Sequence, residues 1–307
     1  MNGTQKLIKY LAMALAAVLA VGIIAVIIRV GVEIAASVLG MESSSNRGDF
    51  LQEYEGISSL GTENSIGMES SFNQGDFLQE YEGISSLDIE NDIGYLNIKI
   101  AEGDKIKVEA SNINERFFVK AQGHTLKIKN EEPSEKIFTK EERRDDCVIN
   151  LYLPKDFVAQ EMEIEQDAGV INIERLYANE LEIDGGAGSM EGTDIKANRV
   201  QLSAGMGEWI LTQVQLNNLE LETGVGSTQI TGIVTGRSSI ECGVGEVILN
   251  LNQPKSDFGY KIREGIGQVT FNGETVSPRI FENPNGAHFL EIQGGIGAVD
   301  VTFADAA

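Results

Sequence analysis

Four Gly-x-Gly elements stand 19 residues apart: Gly186-Ala187-Gly188, Gly205-Met206-Gly207, Gly224-Val225-Gly226 and Gly243-Val244-Gly245. A fixed period near 20 residues is the signature of a solenoid, since each repeat carries an apolar face that only a neighbouring repeat covers. A degenerate copy, Asp167-Ala168-Gly169, precedes the series at the same interval. Gly265-Ile266-Gly267 and Gly295-Ile296-Gly297 follow at intervals of 22 and 30, which predicts loops inserted between successive coils.

The residues around the glycines alternate with period 2, as strands require. Met162/Ile164, Leu181/Ile183, Val200/Leu202 and Leu219/Leu221 fall into two apolar columns before the glycines. After them come Ile171, Met190, Trp209 and Val247 in one column, and Ile173, Leu211, Ile230 and Leu249 in another. The glycines supply positive φ at a sharp corner, with the middle residue expected to point inward. Gly185, Ala204, Thr223 and Cys242 form a column of small residues, which makes Cys242 a structural thiol. Further alternating runs (Ile98/Ile100, Ile106/Val108, Leu126/Ile128 and Cys147/Ile149/Leu151/Leu153) predict that the β-structure begins upstream, less regularly. The fold class is therefore all-β: one continuous β-solenoid of 19-residue glycine-cornered coils from about Leu87 to Phe303. Glu131 to Asp146 reads as a charged surface loop.

Between the inward columns lie Glu163, Glu182, Gln201 and Glu220, and beside them Glu165, Asp184, Ser203, Glu222 and Glu241. Stacked coils place these side chains ~4.8 Å apart on one outer face. Like charges so placed repel by on the order of 0.8 kcal/mol per contact in water. A solubilising face explains them, and so does a landing surface for a cation or a basic peptide.

Ahead of the repeats, Leu11 to Ile28 is an apolar run without a charge, long enough as a helix to cross a bilayer. A cleaved signal peptide has a shorter apolar region followed promptly by a small-x-small site, so the run reads as an uncleaved transmembrane anchor. Lys6 and Lys9 precede it, which places the N-terminus in the cytoplasm and the rest outside. Residues 40–60 and 67–87 then repeat each other at an offset of 27, differing only at Ser45/Phe72 and Arg47/Gln74. Each copy holds an Asp with a Gln three residues on (Asp49 and Gln52, Asp76 and Gln79), resembling a capped helical turn, in what reads as a solvated acidic stalk. Arg47-Gly48-Asp49 spells an integrin-binding tripeptide, a match too short to be specific. The expected organisation is a cytoplasmic tail (1–10), an anchor region (11–39), the duplicated stalk (40–86) and the solenoid (87–307).

A net charge of -23 lacks the basic footprint that nucleic acid requires, and two cysteines make no disulfide scaffold. The Gly-x-Gly elements have neither a third glycine at nucleotide-binding spacing nor a following Lys-Ser/Thr. His124 and His288 stand in no metal-ligand spacing, and no Gly-x-Ser-x-Gly elbow occurs. Asp88 to Ile93 begins somewhat like a calcium loop, but Ile93 replaces its glycine and Lys99 its closing glutamate. No catalytic residue, cofactor or metal site is expected. Carboxylates are abundant enough for glycoside chemistry, though nothing selects a pair.

The run Val148-Ile149-Asn150-Leu151-Tyr152-Leu153-Pro154-Lys155, followed by the Gly-x-Gly repeats, resembles the bacterial putative-adhesin or toast-rack family over roughly Leu87 to Phe303. That resemblance implies a β-solenoid presented outside the membrane in an envelope-associated protein, in some members linked to stress sensing, with no agreed active site. The expected role is a non-enzymatic, membrane-anchored interaction or envelope-stress sensing module with a protein partner in the membrane or envelope. A surface adhesin for another cell, matrix or glycan is the alternative, and a polysaccharide-active enzyme ranks third.

Overall fold

A computed structural model of the chain describes residues 75–131, 147–263, 265–276 and 280–304. The tail, the Leu11–Ile28 span, the first stalk copy with Arg47-Gly48-Asp49, and residues 132–146 of the charged loop lie outside the described residues. Among the described residues no helix is long and apolar enough to cross a membrane. Among the described residues regular structure is β-strand apart from one 3-10 turn, Lys255–Asp257.

The strands run in chain order as β1 (Gly75–Tyr81), β2 (Ser86–Ala101), β3 (Ile106–Ile113), β4 (Phe118–Gln122), β5 (Thr125–Asn130) and β6 (Val148–Pro154). Five long ones follow: β7 (Ala159–Ile173), β8 (Leu176–Thr193), β9 (Ile195–Asn217), β10 (Leu219–Thr235) and β11 (Arg237–Pro254). The last are β12 (Phe258–Arg263), β13 (Ile266–Phe271), β14 (Glu274–Thr275), β15 (Ile280–Asn283), β16 (His288–Gln293) and β17 (Ile296–Ala304).

From β7 to β11 each strand pairs in parallel with the next, Ile164 on Ile183, Ile183 on Leu202, Leu202 on Leu221 and Leu221 on Ile240. All five side chains are buried. This is the solenoid that the 19-residue period predicts. Its ends are less simple. β2 pairs in parallel with β7 on one side, and on the other with β5 and β6. The chain thus builds its second coil first, then the end coil, then returns. The C-terminal end mirrors this, since β16 and β17 lie between β11 and the pair β12 and β13. The glycine corners therefore stack as Gly243, Gly295, Gly265 rather than in sequence order, which corrects the expectation of successive coils. Ile262 and Ile292 are both fully buried in the same column, so apolar pattern alone does not rank them. Antiparallel strands close both ends: β3 on β6 and β4 on β5 at one, β15 on β12 at the other. Covering the terminal edges removes templates for further pairing.

The second stalk copy needs a correction. Residues 75–81 form strand β1 on β3, not a capped helical turn or a solvated spacer. Phe77 is buried and meets Phe117 edge to face. A strand partner some 30 residues downstream outweighs the local Asp76/Gln79 signal, because a single capped turn is a marginal helix by itself.

At the corners the two glycines of each pair serve different needs. Gly188, Gly207, Gly226 and Gly245 hold φ of 150°, 142°, 144° and 141°, a region open to glycine almost alone. Gly186, Gly205, Gly224 and Gly243 have no positive φ, but a Cβ on any of them would collide with a carbonyl oxygen of the preceding coil. The middle residue does not point inward. Met206 is 44% exposed, Val244 46% and Ile266 78%. The turn at the glycines shifts the alternation by one, so that Leu181 and Ile183 are buried before the corner and Met190 after it. Asp92-Ile93-Gly94, overlooked as a repeat, is a further corner: Gly94 has φ 133° and pairs with Gly169.

The small-residue column is borne out, with Gly185, Ala204, Thr223 and Cys242 in register and Cys242 a buried free thiol. It leaves room for the Trp209 indole, whose six-membered ring fills the space a side chain at position 185 would need. Toward the N-terminal end the same column turns polar. Asn130 Nδ2 donates to Asn91 Oδ1 at 2.7 Å, Asn91 Nδ2 to Gln166 Oε1 at 2.7 Å, and Gln166 Nε2 to the Ala168 carbonyl at 2.7 Å. Buried amides stacked this way bond along the column and lock the coil register, while among the described residues Asn130 Oδ1 at the end of the stack has no hydrogen-bond partner.

Candidate functional site: the carboxylate ladders

The first arm of each coil alternates buried apolar with outward polar side chains, so strand period and coil period together generate two straight outer columns. In one, Asp88, Glu163, Glu182, Gln201, Glu220, Ser239 and Glu291 are successive partners. In the other they are Glu90, Glu165, Asp184, Ser203, Glu222, Glu241 and Gln293. The seven carboxylates singled out in the sequence thus share one face of one sheet. The sequence reading did not find what stands at the ends of the columns. Lys127 and Lys129 sit opposite Asp88 and Glu90 on β5, and Lys261 sits opposite Glu291 on β12 with Arg263 next to Gln293. Two basic residues at i and i+2 of a strand beside each acidic run were the available signal, hidden by the displaced order of the coils.

These cations hold the ends. Lys127 Nζ lies 2.9 Å from Asp88 and 2.5 Å from Glu90, and Lys129 Nζ lies 2.7 Å from Glu90. Hydrogen bonds from the two ammonium groups push the Glu90 pKa below the usual carboxylate value. At the far end Lys261 and Arg263 reach Glu291 at 3.5 and 3.6 Å, and Gln293 Nε2 donates to Glu241 at 3.2 Å. Between the ends, among the described residues, no Lys or Arg nitrogen is within ion-pair distance of Glu163, Glu165, Glu182, Asp184, Glu220 or Glu222. Desolvation raises the pKa of Glu163, with Asp88 and Glu182 adding to it. Glu165 is raised likewise, by desolvation and then by Asp167, Glu90 and Asp184.

The contrast with Asp194 shows what a structural carboxylate looks like in this chain. Arg175 Nε donates to it at 2.7 Å, the Tyr177 hydroxyl at 2.8 Å, and Lys196 lies 3.4 Å away. Burial works to raise the Asp194 pKa, and the Tyr177 and Arg175 hydrogen bonds outweigh it, so the pKa falls.

Among the described residues no group of three His, Cys, Asp or Glu side chains converges to hold a metal ion. The carboxylates form rows, not a cage, and rows suit a partner that spreads several positive charges along ~5 Å steps. Both histidines serve the backbone: His124 Nδ1 lies 2.7 Å from the Gly83 carbonyl oxygen, and His288 Nδ1 accepts from the Gly236 amide at 3.3 Å.

Fold and face together define a capped parallel β-solenoid that displays two carboxylate ladders. The chain belongs to the Toastrack DUF4097 family, whose model matches residues 41–272. The match begins in the duplicated segment, well before Leu87, and ends after β13, ahead of β16 and β17. No curated protein matches the chain. Three crystal structures are similar to it. A "putative cell adhesion protein" from Clostridium sporogenes is 17% identical, covering 75% of this chain and 99% of its own, with a TM-score of 0.32. A "putative adhesin" from Bacteroides fragilis is 12% identical over 74% and 96%, with a TM-score of 0.38. Another from Parabacteroides merdae is 11% identical over 75% and 97%, with a TM-score of 0.22. The family assignment stands on the sequence match.

Proposed function

We propose that the protein is a non-enzymatic interaction module, anchored in the membrane through Leu11 to Ile28, whose solenoid stands outside the cell and receives a basic partner on its carboxylate ladders. A single observation carries this reading: the ladders are paired at both ends with the chain's own lysines and arginine, and among the described residues Glu163, Glu165, Glu182, Asp184, Glu220 and Glu222 in between have no Lys or Arg at ion-pair distance. Self-repulsion there is unfavourable for folding, and a polycation that bridges successive coils relieves it. A partner resident in the envelope makes the module a sensor, and one on another cell or matrix makes it an adhesin.

The test is thermal unfolding of the full-length protein with and without an oligolysine peptide or Ca²⁺. A rise in Tm with the peptide is expected, larger than with Ca²⁺ at equal charge. The variant carrying Glu182→Gln, Asp184→Asn, Glu220→Gln and Glu222→Gln should melt higher than wild type unaided and lose the response. An unchanged response in that variant would remove the ladders from the binding surface.

A further inference from the structure

The middle residues of the corners form a row of their own. Met206, Val225, Val244, Ile296 and Ile266 are successive partners in the parallel register, so that one side chain per coil projects at the corner. Each is exposed, from 39% at Val225 to 78% at Ile266. Ile93, Ala168 and Ala187 continue the row toward the N-terminal end, and among the described residues no corner places a polar side chain there. The glycines explain why the middle residue faces outward but not why it is apolar, since a polar side chain at an exposed corner sacrifices no packing. On a chain of net charge -23, an unbroken exposed apolar row marks an interaction surface.

Carboxylates flank this row on both sides. Glu222 and Glu241 of the second ladder stand three residues before Val225 and Val244, while Glu208 and Glu246 stand two residues after Met206 and Val244, and all four are exposed. Lys261 and Arg263, the cations at the C-terminal end of the ladders, are held by Glu291. The charge pattern selects the occupant. A second copy laid antiparallel along the row would set these carboxylates against their own counterparts, and they repel an anionic lipid surface. A segment with an apolar stripe and cations on both flanks complements row and carboxylates together.

Spacing selects the conformation of that segment. Coils repeat at ~4.8 Å, and a helix lying along the solenoid axis presents one stripe residue per turn of ~5.4 Å, a mismatch of roughly 0.6 Å per step. An extended strand presents same-face residues ~6.7 Å apart and is out of step within two coils. The steps from Met206 to Ile266 span ~19 Å, about 13 residues of helix. We propose that the corner row is the docking ridge for an amphipathic helix with basic flanks, its apolar stripe on Met206, Val225, Val244, Ile296 and Ile266 and its cations on the four flanking glutamates. The proposal rests on the reading that the ladder face receives a basic partner, and adds that this partner is helical and binds through the corner as well as the ladders.

The test uses the full-length protein in nanodiscs of neutral lipid, with the signal of empty discs subtracted. The ligand is a fluorescein-labelled peptide of leucine and lysine, about 18 residues or five helical turns long, with its leucines on one helical face. Its references are a peptide of the same composition that alternates leucine with lysine, amphipathic only as a strand, and oligolysine of equal charge. Anisotropy titration should show the helical peptide binding at least about tenfold tighter than either reference. The variant carrying Met206→Gln, Val225→Thr and Val244→Thr alters exposed side chains only, so it should keep the wild-type Tm, lose that tenfold advantage and bind oligolysine as before. Equal affinity of variant and wild type for the helical peptide, with oligolysine still bound, overturns this proposal alone. Failure of both peptides and oligolysine to bind the wild type overturns the ladder reading with it. Preference for the alternating peptide overturns the helix. Wild-type dimers that the variant lacks assign the row to a second copy, and a bimane on Val225→Cys that is blue-shifted by the disc lipid before peptide is added assigns it to lipid; either result overturns the proposal.

Discussion

Replacing Gly207 by alanine isolates what the corner requires of its second glycine. Its φ of 142° lies where an L side chain is strained by about 1–3 kcal/mol. The new Cβ would also drive into the Gly188 carbonyl oxygen, a backbone atom of the neighbouring coil that cannot swing away. Forced overpacking of this kind adds about 1–3 kcal/mol. Against this, alanine restricts the unfolded chain and returns about 0.4–1 kcal/mol. The net loss is about 1–6 kcal/mol. Gly103→Ala is the control, with φ of 110° and nothing within 4 Å of its Cβ, so only strain and the unfolded-state gain apply and the loss is about 0–3 kcal/mol. Gly205→Ala meets carbonyl oxygens without a positive φ, so overpacking takes the place of strain and its loss should be below that of Gly207→Ala. The chain's one tryptophan, Trp209, is 4% exposed and two residues from the corner, so its fluorescence during urea unfolding reads these losses directly. Equal, small losses for Gly207→Ala and Gly103→Ala would refute the reasoning, because they would mean that the coils separate enough to admit a methyl group.

Two further outcomes follow from the polar groups. Glu163 and Glu165 have folded pKa values raised above the unfolded 4.5, so the folded chain binds their protons more tightly. Stability should therefore rise as pH falls from 7 through the folded pKa values, a gain that is lost as pH rises again. Glu90 and Asp194 are lowered, and their contribution, present above their unfolded values of 4.5 and 3.8, disappears as pH falls through the folded pKa values. Urea midpoints across pH should show a maximum on the acid side of neutrality, and Glu163→Gln with Glu165→Gln should flatten the rise and leave the low-pH fall. Asn91→Ala removes the middle amide of the Asn130, Asn91 and Gln166 stack and strands the Gln166 carbonyl, which should lower stability by about 2–4 kcal/mol in the same assay. A loss below about 0.5 kcal/mol would mean that water replaces the amide.

The period of 19 and the alternation around it were enough to place Met162, Ile183, Leu202 and Leu221 in the core and Glu182 and Asp184 outside, because both follow from strand geometry and coil stacking alone. Sequence also determined the small column ending at Cys242, though not that Trp209 needs the space it leaves. Three things depended on contacts between residues far apart in the chain. Placing β16 and β17 inside β12 and β13 depended on which coil edge each strand meets, and their apolar patterns are interchangeable. The outward turn of Met206 and Val244 depended on φ near 140° at one glycine, which reverses the alternation and is invisible in a list of residue types. The basic ends of the carboxylate ladders depended on β5 and β12 reaching the two ends of the stack, where Lys127, Lys129, Lys261 and Arg263 meet acids separated from them by 28 to 39 positions. Local sequence dictates what each coil looks like, and the order of coils is decided only when the edges pair.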